Sequence, residues 1–313
     1  MILGIETSCY TTSLAVINRD GVLIKDLRRV LTVKKGERGL QQSVALFQHL
    51  QNLPGMFQDL CREIDIGKIR AVCASSRPRP VEGSYMPVFT VGSGFGHVIS
   101  EARKVPFYLT SHQEGHIMAG IWSSGGPKEK KFLAVHLSGG TSELLMVTKH
   151  ALGFNIEILG ATRDLHAGQF IDRIGVEMGL PFPTGPYLEK LGENFEGEIP
   201  YIPSAVQGYN FSFSGPETAA RTLLKKGISR EAVARAIEHC ISTTLEKVLR
   251  KAVQEYNICD VLIVGGVAAN SYIRKRLTYR LEHRAVGAKL YFAEPSCSSD
   301  NAVGIAGLGL LNK

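Results

Sequence analysis

A chain of 313 residues, 44% apolar and 21% charged, carries enough nonpolar material for a large core and has the composition of an ordinary globular protein of one large or two smaller domains. No uninterrupted apolar run reaches the length of a membrane-spanning helix, and no basic-then-apolar leader precedes Gly4, so the expected location is the cytoplasm with no membrane partner. The net charge of +7 favours a polyanionic partner without identifying it.

Residues 3–17, LGIETSCYTTSLAVI, read as an apolar strand, a small hydroxyl-rich turn and a second apolar strand. The same pattern returns without a gap at residues 133–147, LAVHLSGGTSELLMV, pairing Leu3 with Leu133, Ser8 with Ser138, Thr11 with Thr141 and Leu14 with Leu144. Two unrelated hairpins could share such a composition, but copies a domain apart suggest a duplicated architecture whose halves each present a turn to a common cleft. Between the copies the spacing predicts a helix over 42–64 with a break at Pro54-Gly55, a strand over 69–74, a helix over 88–103, a strand over 106–109 and a helix over 112–122. The Gly- and Lys-rich stretch 123–131 is the expected linker between a first lobe, 1–125, and a second, 131–298.

The helix over 112–122 opens with Ser111, a good N-cap, and places His112 and His116 four residues apart. Residues i and i+4 share a helix face, so both imidazoles can reach one divalent metal; the alternative is two unconnected histidines. Glu114 lies about 200° of helical turn away from His112, which removes the general base that a zinc-protease H-E-x-x-H helix would need. Six cysteines, Cys9, Cys61, Cys73, Cys240, Cys259 and Cys297, are scattered without a C-x-x-C pair and are expected to be reduced and structural.

In the second half, Ser138-Gly139-Gly140-Thr141 can cradle a phosphate on backbone N–H groups, glycine allowing close approach and positive φ; an ordinary hairpin turn is the alternative. A helix is expected over 169–178, a turn over 181–186 and a long helical region over 216–256 broken near Gly227. Val261–Val264 runs as a buried-type strand into Gly265-Gly266 and then a helix, the arrangement in which a nucleotide sits over a strand's carboxyl end. Arg274, Lys275, Arg276, Arg280 and Arg284 cluster on that helix, and Arg77 and Arg79 on a loop; each set is either a solvated basic face or a phosphate contact. The small, apolar stretch 299–311 suits a tightly packed terminal helix returning to the first lobe. Three strand-turn elements on one chain fit an α/β, duplicated actin-like, sugar-kinase-like fold with two lobes around a nucleotide cleft.

The motifs Gly4-Ile5-Glu6-Thr7-Ser8-Cys9, His112-x-x-Gly115-His116, Ser138-Gly139-Gly140, Gly168-x-x-x-Asp172, Pro183-x-Gly185-Pro186, Phe211-Ser212-Phe213-Ser214-Gly215, Gly265-Gly266-Val267-x-Ala269-Asn270 and Ser299-Asp300-Asn301 resemble, in order and spacing, the TsaD family of tRNA adenosine threonylcarbamoyltransferases. The resemblance spans the whole chain. It implies a divalent metal (Fe, Zn or Mg) held by His112, His116 and Asp300, and ATP, AMP or an acyl-adenylate lined by His136, Leu137, Ser138, Gly139, Gly140, Asp172, Gly185 and Asn270. It implies tRNA as a partner, with tRNA-modification proteins or a homodimer as further expectations. For Asp172 taken alone, a solvated helix carboxylate is the competing reading.

The departures are specific. The family's S-C-D-E-T is here Ser8-Cys9-Tyr10-Thr11-Thr12, without the acidic pair, so no residue is assigned as catalytic. Its S-G-G-H-T is Ser138-Gly139-Gly140-Thr141-Ser142, and its F-S-F-S-G-L-K-T ends in Gly215-Pro216-Glu217-Thr218. Ser75-Ser76-Arg77-Pro78-Arg79-Pro80 replaces a glycine-rich segment. The reading is therefore a divergent paralogue: a threonylcarbamoyl transferase acting on tRNA, weak or partner-dependent, with a carbamoyl transferase for another acceptor or a non-catalytic nucleotide-binding partner as alternatives.

Overall fold

The structure, a computed structural model, describes residues 1–8, 10–33 and 39–311. The first half runs β1 (Ile2–Thr7), β2 (Thr11–Ile17), β3 (Leu23–Val30), α1 (Gln42–Glu63), β4 (Ala71–Arg77), α2 (Phe89–Arg103), β5 (Phe107–Ser111) and α3 (His112–Ser124). The second runs β6 (Lys131–Leu137), β7 (Ser142–His150), β8 (Gly153–Ala161), α4 (Ala167–Glu177), α5 (Gly185–Glu193), the small hairpin β9 (Ala205–Gln207) and β10 (Asn210–Ser212), α6 (Ser214–Lys225), α7 (Arg230–Tyr256), β11 (Asp260–Val264), α8 (Ser271–Leu281), β12 (Lys289–Phe292), α9 (Pro295–Ser298) and α10 (Val303–Leu311).

The strand order is β3-β2-β1-β4-β5 in one five-stranded sheet and β8-β7-β6-β11-β12 in the other, the same topology met twice. The repeat read at 3–17 and 133–147 is thus the antiparallel pair that opens each sheet, Leu3 opposite Val16 and Leu133 opposite Met146. Strict alternation along the strands divides the core. Leu3, Ile5, Leu14, Val16, Val72 and Ala74 pack under α1 and α2. Leu133, Val135, Leu137, Leu144 and Met146 pack under the helices of the second half. The opposite faces, with Ile2 and Ala71 on one sheet and Phe132, Ala134, Leu145 and Leu262 on the other, close on α10 and α3.

Those two helices lie between the sheets and are exchanged. The helix that follows β5, α3, sends Ile117 into the core of the second sheet, and α10, which follows β12, lays Ala306 against Ile2 of the first. They cross at glycines: a Cβ on Gly304 would run into the Gly115 carbonyl and come within 2.8 Å of the Ala119 amide, and one on Gly115 would sit 2.6 Å from Ile305 Cδ1.

Several boundaries differ from expectation for local reasons. α1 runs through Pro54 unbroken, because Pro54 faces solvent, where the carbonyl of exposed Leu50 can bond water instead of the missing N–H. The helix of the 299–311 stretch begins only at Val303, since the Asn301 carboxamide oxygen accepts from the Val303 amide at 3.0 Å and ends the preceding turn. Arg77 is the last residue of β4 rather than part of a loop. The helical region from Ser214 to Tyr256 breaks at Gly227, in the left-handed region at φ 78°. Cys61, Cys73, Cys240, Cys259 and Cys297 are free thiols, while Cys9 lies outside the described residues. No helix of the described residues is long and apolar enough to cross a membrane.

Candidate metal centre

The centre is assembled at the N-terminal end of α3. Ser111 Oγ accepts from the Glu114 amide at 3.2 Å while its own amide donates to Glu114 Oε2 at 3.0 Å, a reciprocal cap that starts the helix and aims its first turn at the cleft. Glu114 is spent on that cap. The rings of His112 and His116 then stand 4.5 Å apart, centroid to centroid. Asp300, in the short turn between α9 and α10, brings Oδ1 to 3.4 Å from His116 Nε2 and 3.7 Å from His112 Nε2. One donor atom from each of the three residues falls within 4.8 Å of the others.

A surrounding layer orients these donors, and motif reading assigned no role to its members. His112 Nδ1 lies 3.2 Å from Glu6 Oε2, which can only accept, so Nδ1 carries a proton and Nε2 is the nitrogen turned toward Asp300. Glu6 is held in turn by Ser75 Oγ at 2.8 Å, and Asp300 Oδ2 accepts from Ser8 Oγ at 2.8 Å. His49 on α1 bonds the Ser8 carbonyl at 2.7 Å and Thr12 Oγ1 at 2.9 Å, tying the first turn to the helix behind it. The available signal was Glu6 itself, a carboxylate inside the otherwise apolar strand Ile2–Thr7, buried with 1% exposure.

The electrostatics follow from burial and from one another. Burial opposes the charge on His112, but Glu6 and Asp300 outweigh it and raise its pKa to about 9. Burial works against the Asp300 carboxylate, yet His116, His112 and Ser8 pull its pKa below the usual range. His116 and His136 are pushed down, first by burial and then by neighbouring imidazoles. His136, expected beside the nucleotide, lies with this cluster, its ring 4.6 Å from that of His116, because alternation along β6 turns it toward α3. The ring nitrogens of both His116 and His136 are buried without a hydrogen-bond partner. Such atoms cost on the order of 1–3 kcal/mol each if left unsatisfied.

The remaining expected site residues are placed in two groups. At the Ser138–Thr141 turn, Ser138 N–H donates to the Thr141 carbonyl at 2.7 Å and Gly140 N–H to Ser138 Oγ at 3.2 Å, while α4 abuts the turn through Gly168 N–H to the Ser138 carbonyl at 3.2 Å. A Cβ built at Gly139, Gly140, Gly185 or Gly266 would meet nothing within 4 Å. Gly139 does not adopt positive φ; that conformation belongs to Gly265 at φ 96°, where a Cβ would run into the Leu137 carbonyl. Leu137 is fully buried under the turn.

Two polar residues are turned inward. Asp172 accepts from the Thr184 amide at 2.8 Å and from its hydroxyl at 3.2 Å, and burial raises its pKa. Asn270 caps α8 through the Ile273 amide at 2.9 Å and donates to Glu238 Oε1 at 2.7 Å, so both ends of its carboxamide have protein partners. Fully buried Glu238 has its pKa raised by desolvation to about 7, with Asn270 and Arg235 opposing the shift. A carboxyl raised in the folded state stabilises it most below the unfolded value and loses that contribution as pH climbs through the folded one. Wild type should therefore lose stability between about pH 5 and pH 8, by up to roughly 3 kcal/mol, with a visibly flatter profile in Glu238→Gln. Urea titrations at both pH values check this, and parallel profiles would contradict it.

The basic helix is not an open phosphate-binding face. Arg276 and Arg280 pair with Glu246 of α7 at 2.9 and 2.8 Å, and Arg274 bonds the Ala268 carbonyl at 2.6 Å. Arg284 lies beyond the end of α8. Arg79, by contrast, reaches from the first half of the chain to the second. Its guanidinium pairs with buried Glu143, whose other oxygen accepts from Gln113 Nε2 at 2.8 Å, and burial raises the Glu143 pKa against the pull of both partners.

Comparison with known proteins places this geometry in context. The family TsaD, tRNA N6-adenosine threonylcarbamoyltransferase, matches residues 28–307. Proteins carrying that name from Caldicellulosiruptor saccharolyticus and Thermus thermophilus are 35% and 32% identical to the chain, covering 99% and 97% of it and 92% and 90% of their own lengths. Among solved structures, the Acidaminococcus fermentans (R)-2-hydroxyglutaryl-CoA dehydratase component A superposes with a TM-score of 0.58 at 14% identity over 100% of this chain and 99% of its own. A ROK family glucokinase from Streptomyces griseus gives 0.54 at 10% identity over 98% and 97%. These two likenesses establish the actin-like, sugar-kinase-like fold.

Proposed function

Because the chain belongs to the TsaD family of tRNA N6-adenosine threonylcarbamoyltransferases, we propose that it transfers a threonylcarbamoyl group from a threonylcarbamoyl-adenylate to the exocyclic amine of a tRNA adenosine. The observation that supports this most is the convergence of His112 and His116 with Asp300, distant in the chain, where Asp300 approaches His116 Nε2 only to 3.4 Å and His116 Nδ1 is buried without a hydrogen-bond partner. That donor set fits a divalent cation. Two imidazoles with one carboxylate suit zinc or iron better than magnesium, which prefers oxygen. When bound, the ion would supply Lewis-acid polarisation of the carbonyl under attack and offset charge on the phosphate.

The protein's own groups would do the rest. Glu6 holds His112 through Nδ1, Ser8 orients Asp300, and the Ser138–Gly140 turn, whose Ser138 and Gly140 amides bond within the turn, offers room and the Gly139 N–H to the adenylate phosphate beside the N-terminus of α4. Gly185 and Gly266, open where a side chain would stand, leave space for ribose and base. The adenine amine then attacks the carbamoyl carbon, the bond from that carbon to the phosphate oxygen breaks, and AMP departs with the electron pair. A tRNA substrate would place the protein in the cytoplasm.

The amine's proton needs an acceptor, and here the chain departs from its relatives. Tyr10 and Thr11 stand where the family's acidic pair is expected; Tyr10 packs 6.0 Å from Phe182, and Thr11 is buried on the same strand face as Ser13, which bonds the amide leading into α10. Losing a positioned base costs on the order of 10²–10⁴ in rate. We therefore expect weak or partner-dependent activity, rising in the Tyr10→Asp/Thr11→Glu double variant. The assay is nucleoside analysis of tRNA after incubation with threonine, bicarbonate, ATP and an adenylate-forming enzyme. If neither protein yields modified adenosine while both bind metal and nucleotide, the acceptor is another molecule, the second reading that the lost acidic pair favours.

A further inference from the structure

We infer that Arg79 is a substrate-binding residue that receives an oxyanion in the cleft, either the phosphate of the nucleotide or a carboxylate of the acyl group. The inference rests on the nucleotide reading above. Its backbone is held from both sides: Pro78 and Pro80 flank it, the Pro78 carbonyl accepts from the Gln113 amide at 3.0 Å, and the Arg79 amide donates to Ser84 Oγ at 3.0 Å. The guanidinium is therefore presented from a fixed base rather than from a loose loop.

Its position is set by what it touches. Glu143, its partner, pairs with His136 across β6 and β7, and Gln113, which holds the other Glu143 oxygen, follows His112 in α3. Ser142, next to Glu143, is where β7 leaves the Ser138–Thr141 turn, and its hydroxyl accepts from the Ala167 amide at the start of α4 at 2.9 Å. The cation thus stands between the histidine cluster and the turn. Glu143 is buried, with 4% of its side chain exposed, whereas the Arg79 side chain keeps 39% exposure. A guanidinium carries five N–H donors in a planar fork, so a single carboxylate oxygen contact leaves most of them for a second anion.

Such an arrangement also suits selectivity. A buried carboxylate behind the guanidinium keeps it aimed and neutralised until an anion arrives on the open side, and bidentate contact from an arginine favours planar oxyanions over point charges. A plain clasp between the two halves is the competing account.

Calorimetry on the full chain with AMP, adenosine and N-carbamoyl-L-threonine separates them. In Arg79→Gln, AMP affinity should fall at least tenfold with adenosine unchanged if the phosphate is the ligand. If the carboxylate is the ligand, the fall should appear with N-carbamoyl-L-threonine instead. Arg79→Lys should bind with intermediate affinity, and it provides a charged variant should the glutamine form fold poorly. Glu143→Gln, which frees the guanidinium, should hold or strengthen anion binding. Equal binding of all three probes by wild type and Arg79→Gln would overturn the inference and leave the nucleotide reading standing. Equal losses for AMP and adenosine in Arg79→Gln and Glu143→Gln, with a matching drop in melting temperature, would make the pair a clasp. Failure of wild type to bind any probe would remove the nucleotide reading and this inference with it.

Discussion

Replacing His116 by alanine should strip the purified protein of its divalent ion, from about one per chain to a small fraction of that, while circular dichroism stays native-like. Two ligands cannot enforce the geometry that three provide, and the lost imidazole is buried, so water reaches its place poorly. Asp300→Asn should do the same through charge: the carboxylate lies against both Nε2 atoms, and an amide donates where a cation needs a donor of electrons. Glu6→Gln is the milder case. Of the three donor residues it bonds His112, so affinity should fall about 10- to 100-fold, the usual cost of removing a residue that orients a ligand. Elemental analysis with chelator competition reads all three, and equal metal content across the set would sink the site.

The second large effect is steric. Gly304→Val should destabilise the protein by about 3 kcal/mol or more, because the new side chain meets backbone on α3, not the movable end of a side chain. Pushing α10 from α3 also parts Asp300 from His112 and His116, so metal affinity should fall together with stability. Gly55→Ala is the control: it lies in α1 with nothing near its Cβ, and the helix gains propensity. Urea melts of both variants, with metal content measured on each, check the pairing of the two losses. A Gly304→Val protein as stable as wild type would show that the helices can separate at little cost.

What could be read from the chain depended on how local the signal was. The i, i+4 spacing of His112 and His116 is a property of one helix, and the duplicated turns of the actin-like fold repeat over short windows, so both were visible without coordinates. Asp300 came only through family resemblance, since nothing in periodicity links a turn before the last helix to α3. Glu6 was in view as a letter of a motif, but that it would hold His112 requires knowing that β1 runs beside the start of α3. The same limit explains the basic helix: the spacing of Arg276 and Arg280 is legible, whereas Glu246, which neutralises them, belongs to α7 and becomes a neighbour only on packing. Pro54 misled because a proline on a solvent-facing helix surface and one on a buried surface look alike in sequence.

The exchange of α3 and α10 bears on motion as well as on assembly. Each half of the molecule is covered by a helix that the other half supplies, so the halves cannot swing apart on a hinge without uncovering an apolar face. Movement of one sheet relative to the other has to run along the seam where the two helices cross, as a shear of packed surfaces. His112 and His116 ride on one side of that seam, and Asp300 leads into the other. Any slide along that seam therefore also resets the spacing of Asp300 from His112 and His116.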